Sequence, residues 1–450
     1  MQSATQRLKF TEKVAYAMGD VSCNMFWTIF SVYLVFFYTD IYGISAAAAG
    51  TLLLVTRVWD SINNPIMGLI ADRTKTRWGR FRPYLLWGGV PFAIAAVCAF
   101  TTPDMSPTGK LIYAYVSYTL MMTFFTLVSI PYSSLLGVIT VNSQEREVVS
   151  SYRFGFALVA GLFVQFFTLE LASYFGKGNL QSGFQTTVIL YALIAVILLW
   201  ITFAFTRERV RNQDEKQSSI KQDMRDLMRN KPWLILFVVS LITVTYLTIR
   251  TAASLYYFKY VVGDEDLTKW FLAGGSLCLV IGTTYTKYLV KYFRRSRLFS
   301  FLLVADGLLM SLFYVVDPAN YMMIFALHFA AMLFLGPSIV MIWSMYGDTA
   351  DYSEWRRKRR ATGLIYSASV LAQKMAAAIG SALLGWLLAY YGFIANQLQS
   401  EDVIQGIKLL ISVYPGVLSF IGAIIVLYYP LEQSVMLKIE ESLNERKHEH

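Results

Sequence analysis

A chain of 450 residues that is 56% hydrophobic and only 15% charged, with a net charge of +10, departs from the soluble globule, in which about a quarter of the residues are charged. That composition excludes a disordered chain, a coiled coil and a small disulfide scaffold, and the mean hydropathy of +0.49 points to lipid as the solvent. Cys23, Cys98 and Cys278 lie in separate apolar stretches without CxxC spacing, so neither a disulfide framework nor a zinc site is signalled.

A bilayer core about 30 Å thick needs roughly 20 apolar residues in a helix. Twelve charge-poor stretches of that kind follow one another, at about 16–39, 44–71, 83–101, 111–138, 152–174, 184–206, 233–262, 267–289, 298–316, 320–347, 361–392 and 407–430. The polar N-terminus runs into the first stretch with no cleavable signal, so that helix is expected to remain as an anchor. Alternate loops hold 30 of the 39 Lys and Arg, against Lys110, Lys177, Lys269 and Lys408 on the other side. By the positive-inside rule both termini are then cytoplasmic, in a multi-pass protein of the cell (inner) membrane. The basic balance is topogenic, and no nucleic-acid partner is expected. The run 356–360 reads first as a positive-inside stop and second as a contact for anionic membrane lipid or substrate exit.

Residues 207–232 mix eight cations with five anions and read as a cytoplasmic linker. The expected domains are a six-helix bundle at 1–206, the linker at 207–232, a second six-helix bundle at 233–430 and a cytoplasmic tail at 431–450. Each half carries a basic loop after its second helix, at 68–83 and 288–300. An all-α integral membrane protein of two six-helix bundles describes the major facilitator architecture, with Gly68-Leu69-Ile70-Ala71-Asp72-Arg73 resembling its loop signature.

Ionisable groups at bilayer depth are costly and usually face a cavity or a partner. In chain order they begin with Asp20 in the first span. The second span places Arg57, Asp60 and Asn64 at i, i+3 and i+7, with Asn63 alongside. Asp60 suits a proton site or a Na⁺ ligand, or else a structural pair with Arg57. In the fourth, Thr126, Ser129, Tyr132, Ser133 and Ser134 cluster about Pro131, where the helix is expected to break. Hydroxyls and rings suit a sugar, and equally suit helix packing. Arg153, Arg250 and Lys374 follow in the fifth, seventh and eleventh spans; Asp306, in the ninth, reads as a packing contact. No HExxH, GxSxG or paired-thiol motif is present, so catalysis is not expected.

At VWDSINNPIMG, GRFRP, SIPYSSL and GDTADYSEW the chain resembles the glycoside-pentoside-hexuronide:cation symporters, the family of the melibiose permease, and the resemblance runs from GDVSCN at 19–24 to YPLEQ at 429–433. Its C-terminal half looks most like the glucuronide and xyloside branch. The resemblance implies import of a glycoside or hexuronide with H⁺ or Na⁺ by alternating access, without another cofactor, in a protein expected to be a monomer. It implies a cation site at Asp60, Asn63, Asn64 and Thr126, with Asp60 the metal ligand if the ion is Na⁺. Asn64 stands where the family usually has a second aspartate, which puts Na⁺ coupling in doubt. The implied sugar site takes Arg153, Trp343 and Lys374, with Asn24 and Ser129 where melibiose permease has acids. Asp20, one turn before Asn24, can supply a carboxylate. Arg250 has no counterpart there; a guanidinium more and carboxylates fewer lean toward an anionic sugar such as a glucuronide, with a neutral pentoside or hexoside as the alternative. A proton-coupled antiporter is the remoter reading.

Overall fold

The computed structural model describes residues 8–140, 142–209, 225, 227–357 and 362–448, so part of the linker and Lys358–Arg360 of the basic run lie outside the described residues. The chain divides into two compact units: Met1–Glu215 with Ile394–Gln397, and Lys216–Phe393 with Leu398–His450. Among the described residues all regular structure is helical.

In unit 1, α1 runs over Phe10–Val32 and continues through Leu34–Ile41 with a 57° bend. Then come α2 (Ala46–Arg73), α3 (Arg82–Trp87 and Gly89–Ala99), α4 (Pro107–Ile139), α5 (Ser143–Gly176) and α6 (Leu180–Phe205). Unit 2 has α7 (Lys231–Tyr256, extended to Val262), α8 (Leu267–Thr284), α9 (Arg295–Leu312), α10 (Tyr321–Arg357), α11 (Thr362–Tyr390), α12 (Glu401–Ile411 and Val413–Val426) and α13 (Gln433–His448). Helix starts are written locally. Ser45, Ser106, Asn179, Asn230 and Ser400 each accept a backbone N–H of the first turn through the side chain, with Pro107 and Pro232 placed where a helix lacks an N–H partner anyway.

The twelve expected spans map onto α1–α12, but not all as plain apolar rods. Nine described helices are long and apolar enough to cross a membrane, and the bent α1 makes a tenth. The interrupted α3 has only a short apolar segment after its break at Gly88, and α2 carries Arg57, Asp60, Asn63 and Asn64 in mid-span. The expected break at Pro131 is absent: α4 is continuous from Pro107 to Ile139 with Pro131 inside it. A proline removes one ladder bond, which a spanning helix tolerates where its neighbours satisfy the freed carbonyl. The outward faces remain apolar; on α6 Leu193, Ile197 and Trp200 are 59%, 54% and 45% exposed at i, i+4 and i+7, a face for lipid.

Both units use the same pairings. In unit 1, α1 packs on α5 and α6, α2 on α4, and α3 on α4 and α6; in unit 2, α7 packs on α11 and α12, α8 on α10, and α9 on α10 and α12. Each pair recurs six helices later, the sign of an internal repeat that the weak echo of the two basic loops only hinted at. One detail recurs as well. Just after α6, the Glu208 carboxylate accepts the backbone N–H of Arg80, Phe81 and Arg82 at 2.8, 2.7 and 3.0 Å, capping α3 from a distance. Just after α12, Glu432 accepts the backbone N–H of Arg295 and the hydroxyl of Ser296 at the start of α9. Unit 1 is tied further by Arg209, which donates to both Glu12 oxygens at 2.6 and 2.9 Å; those bonds raise the pKa of its guanidinium.

Replacing Glu208 by Ala leaves three helix-start N–H groups without their acceptor, and each charge-assisted bond is worth about 1.5–3 kcal/mol. Glu208→Ala is expected to lower the melting temperature of the purified protein measurably, and Glu208→Gln, which keeps an acceptor oxygen, to lower it less.

Candidate functional site

The polar side chains of unit 1 gather in two clusters. The first joins α2 to α4. Asp60 is 1% exposed; Thr126 Oγ1 donates to its Oδ1 at 2.6 Å, and Asn64 Nδ2 donates to its Oδ2 at 3.4 Å. Asn64 Oδ1 and Asn63 Nδ2 are buried without hydrogen-bond partners. The Arg57 guanidinium lies 4.7 Å from the Trp27 ring centroid, a cation–π contact from α2 to α1. Asp60, Asn64 and Thr126 therefore come together as expected from the resemblance, and Asn64 Oδ1 is left as a free acceptor. A bound cation fits such a donor set of a carboxylate, an amide oxygen and a hydroxyl.

The second cluster joins α1 to α5. Arg153 Nε donates to Asp20 Oδ1 at 3.0 Å, and Asn24 Nδ2 donates to Asp20 Oδ2 at 3.1 Å. Asp20 is thus gripped at both oxygens, whereas the Arg153 side chain remains 27% exposed. Beneath them Tyr16 and Tyr132 stack with centroids 4.8 Å apart, and each hydroxyl donates to the other's backbone carbonyl, at 3.3 and 3.0 Å. Gly19 makes that clasp possible, because a Cβ there would collide with the Tyr132 ring. Arg153 lies 5.7 Å over the same ring. Ser129, on α4, is half-buried and hydrogen-bonds to neither cluster.

In unit 2 Trp343 and Arg250 each meet a residue that the sequence did not single out. Trp343 of α10 stacks on Tyr366 of α11 at 6.2 Å with the planes 8° apart, a flat aromatic pair of the kind sugar faces use. Lys374, on α11, is half-buried. Arg250, on α7, is only 1% exposed, and its Nη2 lies 3.2 Å from His328 Nδ1 of α10. Reading the sequence missed His328 as a partner and Trp27 as a cation–π platform. The small residue Gly275, opposite the His328 ring, was the one available signal, as Gly19 was for Tyr132.

The MFS/sugar transport protein family matches over residues 15–433. The chain belongs to that family. Within it the chain groups with the glycoside-pentoside-hexuronide:cation symporters, as the resemblance implied. YagG of Escherichia coli (strain K12), whose name assigns it to glycoside/cation symport, is 37% identical over 413 residues, 92% of this chain and 90% of its own. The isoprimeverose transporter of Lactiplantibacillus pentosus is 34% identical over 429 residues, covering 94% of this chain and 89% of its own. The glucuronide carrier protein homolog of Escherichia coli (strain K12) is 30% identical over 449 residues, covering 98% of this chain and 97% of its own.

In this symporter, Arg153→Ala would leave the Asp20 carboxylate, 6% exposed, without its counter-ion. Breaking one side of a buried pair costs more than removing both charges. Thermal unfolding is expected to show Arg153→Ala as less stable than the double variant Asp20→Asn/Arg153→Gln; equal losses would mean the pair carries no coupling.

Proposed function

We propose that this multi-pass membrane protein is a secondary active symporter that imports a glycoside together with a proton across the cell inner membrane by alternating access, with both termini in the cytoplasm. The observation that carries the reading is the Asp60 site: a carboxylate 1% exposed, held by a hydroxyl and an amide on two helices, in a family of sugar transporters. The charge counts of the loops support the orientation.

The choice of ion rests on the charge available at Asp60, whose oxygens lie within hydrogen-bond distance of Thr126 Oγ1 and Asn64 Nδ2. With Asn64 in place of a second acid, a single carboxylate suffices for H⁺ and gives Na⁺ only one full negative charge. Protonation neutralises Asp60, which lowers the cost of enclosing it away from water as the carrier closes.

The sugar end is assigned to Asp20, Asn24 and Arg153, above the Tyr16–Tyr132 clasp. A hydroxylated ring could share the Arg153 N–H groups and the outer face of the Asp20–Asn24 pair. A neutral glycoside is favoured over a hexuronide. Arg153 is already compensated by Asp20, and Arg250, the guanidinium expected to grip a sugar carboxylate, is buried against His328. A hexuronide remains the second reading, supported by Lys374 and by similarity to a glucuronide carrier homolog.

In proteoliposomes, Asp60→Asn is expected to abolish accumulation of substrate against its gradient while preserving exchange of internal for external sugar; gradient-driven accumulation by that variant would refute the assignment. Matched aryl glucoside and aryl glucuronide substrates should differ in uptake by tenfold or more in favour of the neutral one, about 1.4 kcal/mol. Preference for the glucuronide that is lost in Arg250→Gln would restore the carboxylate grip.

A further inference from the structure

The transport scheme leaves unused a cluster buried inside unit 2. Tyr246 and Arg250 of α7, Asp306 of α9 and His328 of α10 are all 5% exposed or less. Tyr246 Oη donates to Asp306 Oδ2 at 2.8 Å, and Ser419 Oγ of α12 reaches the same oxygen at 3.4 Å; Asp306 Oδ1 has no hydrogen-bond partner. Arg250 is drawn the other way. Its Nη2 bonds to His328 Nδ1, its guanidinium carbon lies 5.4 Å from the Phe313 ring centroid, and its Nε and Nη1 have no acceptor. Arg250 and Asp306 interact electrostatically, yet no N···O distance between them falls within 4.0 Å.

A guanidinium can only donate, so His328 Nδ1 must accept, which puts the ring proton on Nε2 and makes the imidazole neutral. The ring has little freedom to turn. It stacks on Phe271 of α8 at 3.6 Å, and Gly275 leaves just the space its Nε2 edge occupies. His328 is therefore a fixed, neutral acceptor. The remaining imbalance lies between a cation with two bare N–H groups and a carboxyl group with one bare oxygen. Opposite charges in an apolar interior are stable in contact, or when one of them is neutralised. Arg stays protonated, so the carboxyl is the group able to change.

We propose that Asp306 is a second proton-binding site, inside the C-terminal bundle, and that Arg250 exchanges partners according to its state. With a proton on Asp306, Arg250 bonds to His328, as in this structure. When the proton leaves Oδ1 for water, the bare carboxylate draws the free N–H groups of Arg250, and the bond to His328 opens. The step moves one proton between a carboxyl oxygen and water; every other change is an exchange of hydrogen bonds. The charged or titratable groups around Asp306 are Tyr246 and Arg250 from α7 and, through Arg250, His328 from α10, with the Ser419 hydroxyl from α12. Because α7, α9, α10 and α12 each supply a member, the exchange would change how those helices are tied. The inference does not depend on the identity of the sugar or on the role of Asp60.

Difference infrared spectroscopy of the purified protein in liposomes, titrated with pH, tests it through the carbonyl stretch of a protonated carboxylic acid. Wild type should show such a band that disappears as pH rises, absent from Asp306→Asn and retained in Asp60→Asn. Arg250→Gln, lacking the cation that stabilises the carboxylate, should hold the band to higher pH. Asp306→Glu keeps the acid and should move the band rather than remove it, a check that does not rely on Asp306→Asn folding. A band set unchanged in Asp306→Asn and Asp306→Glu, or an Asp306 band indifferent to pH, would overturn the proposal.

Discussion

The price of a charge inside hydrocarbon governs this structure. A spanning carboxylate or guanidinium costs at least about 2.5 kcal/mol unless it is partnered or neutralised. Only a short list of such groups lies in mid-span, and the buried ones described above are held across helices. Asp60 takes hydrogens from α2 and α4, Asp20 from α1 and α5, and Asp306 from α7 and α12. These clusters tie neighbouring helices within a unit, and they are also the places where gain or loss of a proton or cation would alter packing. In the proposed scheme stability and function rest on the same side chains, with the apolar faces left to lipid.

The repeat explains how such a chain holds its ends together. Six helices per unit pair in the same order, and in each unit a glutamate just beyond the sixth helix caps the start of the third, Glu208 for α3 and Glu432 for α9. A helix that begins at the membrane surface leaves several N–H groups unsatisfied. A carboxylate delivered from another helix satisfies them and fixes two chain ends in one contact. Capping residues adjacent in sequence, such as Ser45 and Asn179, do the same work locally.

Much of the architecture was legible because hydropathy is a one-dimensional signal. The twelve stretches could be placed from composition alone. The exceptions have local causes: Gly88 interrupts α3, a break hydropathy does not register, while Pro131 was given too much weight as a helix breaker. The polar side chains of the two candidate clusters stood out in the sequence, and their pairings less so. Asp60 with Thr126 followed from the family resemblance, and Asp20 with Asn24 from helical spacing. Nothing in the sequence placed Arg153 against Asp20 or Arg250 against His328, since those contacts join residues 133 and 78 positions apart and depend on how helices cross. Small residues were the missed clue: Gly19 and Gly275 sit where rings from other helices enter.

In the proposed cycle protonation of Asp60 and binding of a glycoside favour one another, and linkage requires each to raise the other's affinity by the same factor. The most direct measurement is proton uptake by the purified protein in lightly buffered solution when glycoside is added. Net proton uptake is expected on binding, and its loss in Asp60→Asn. Sugar binding that moves no protons and instead strengthens with added Na⁺ would contradict it.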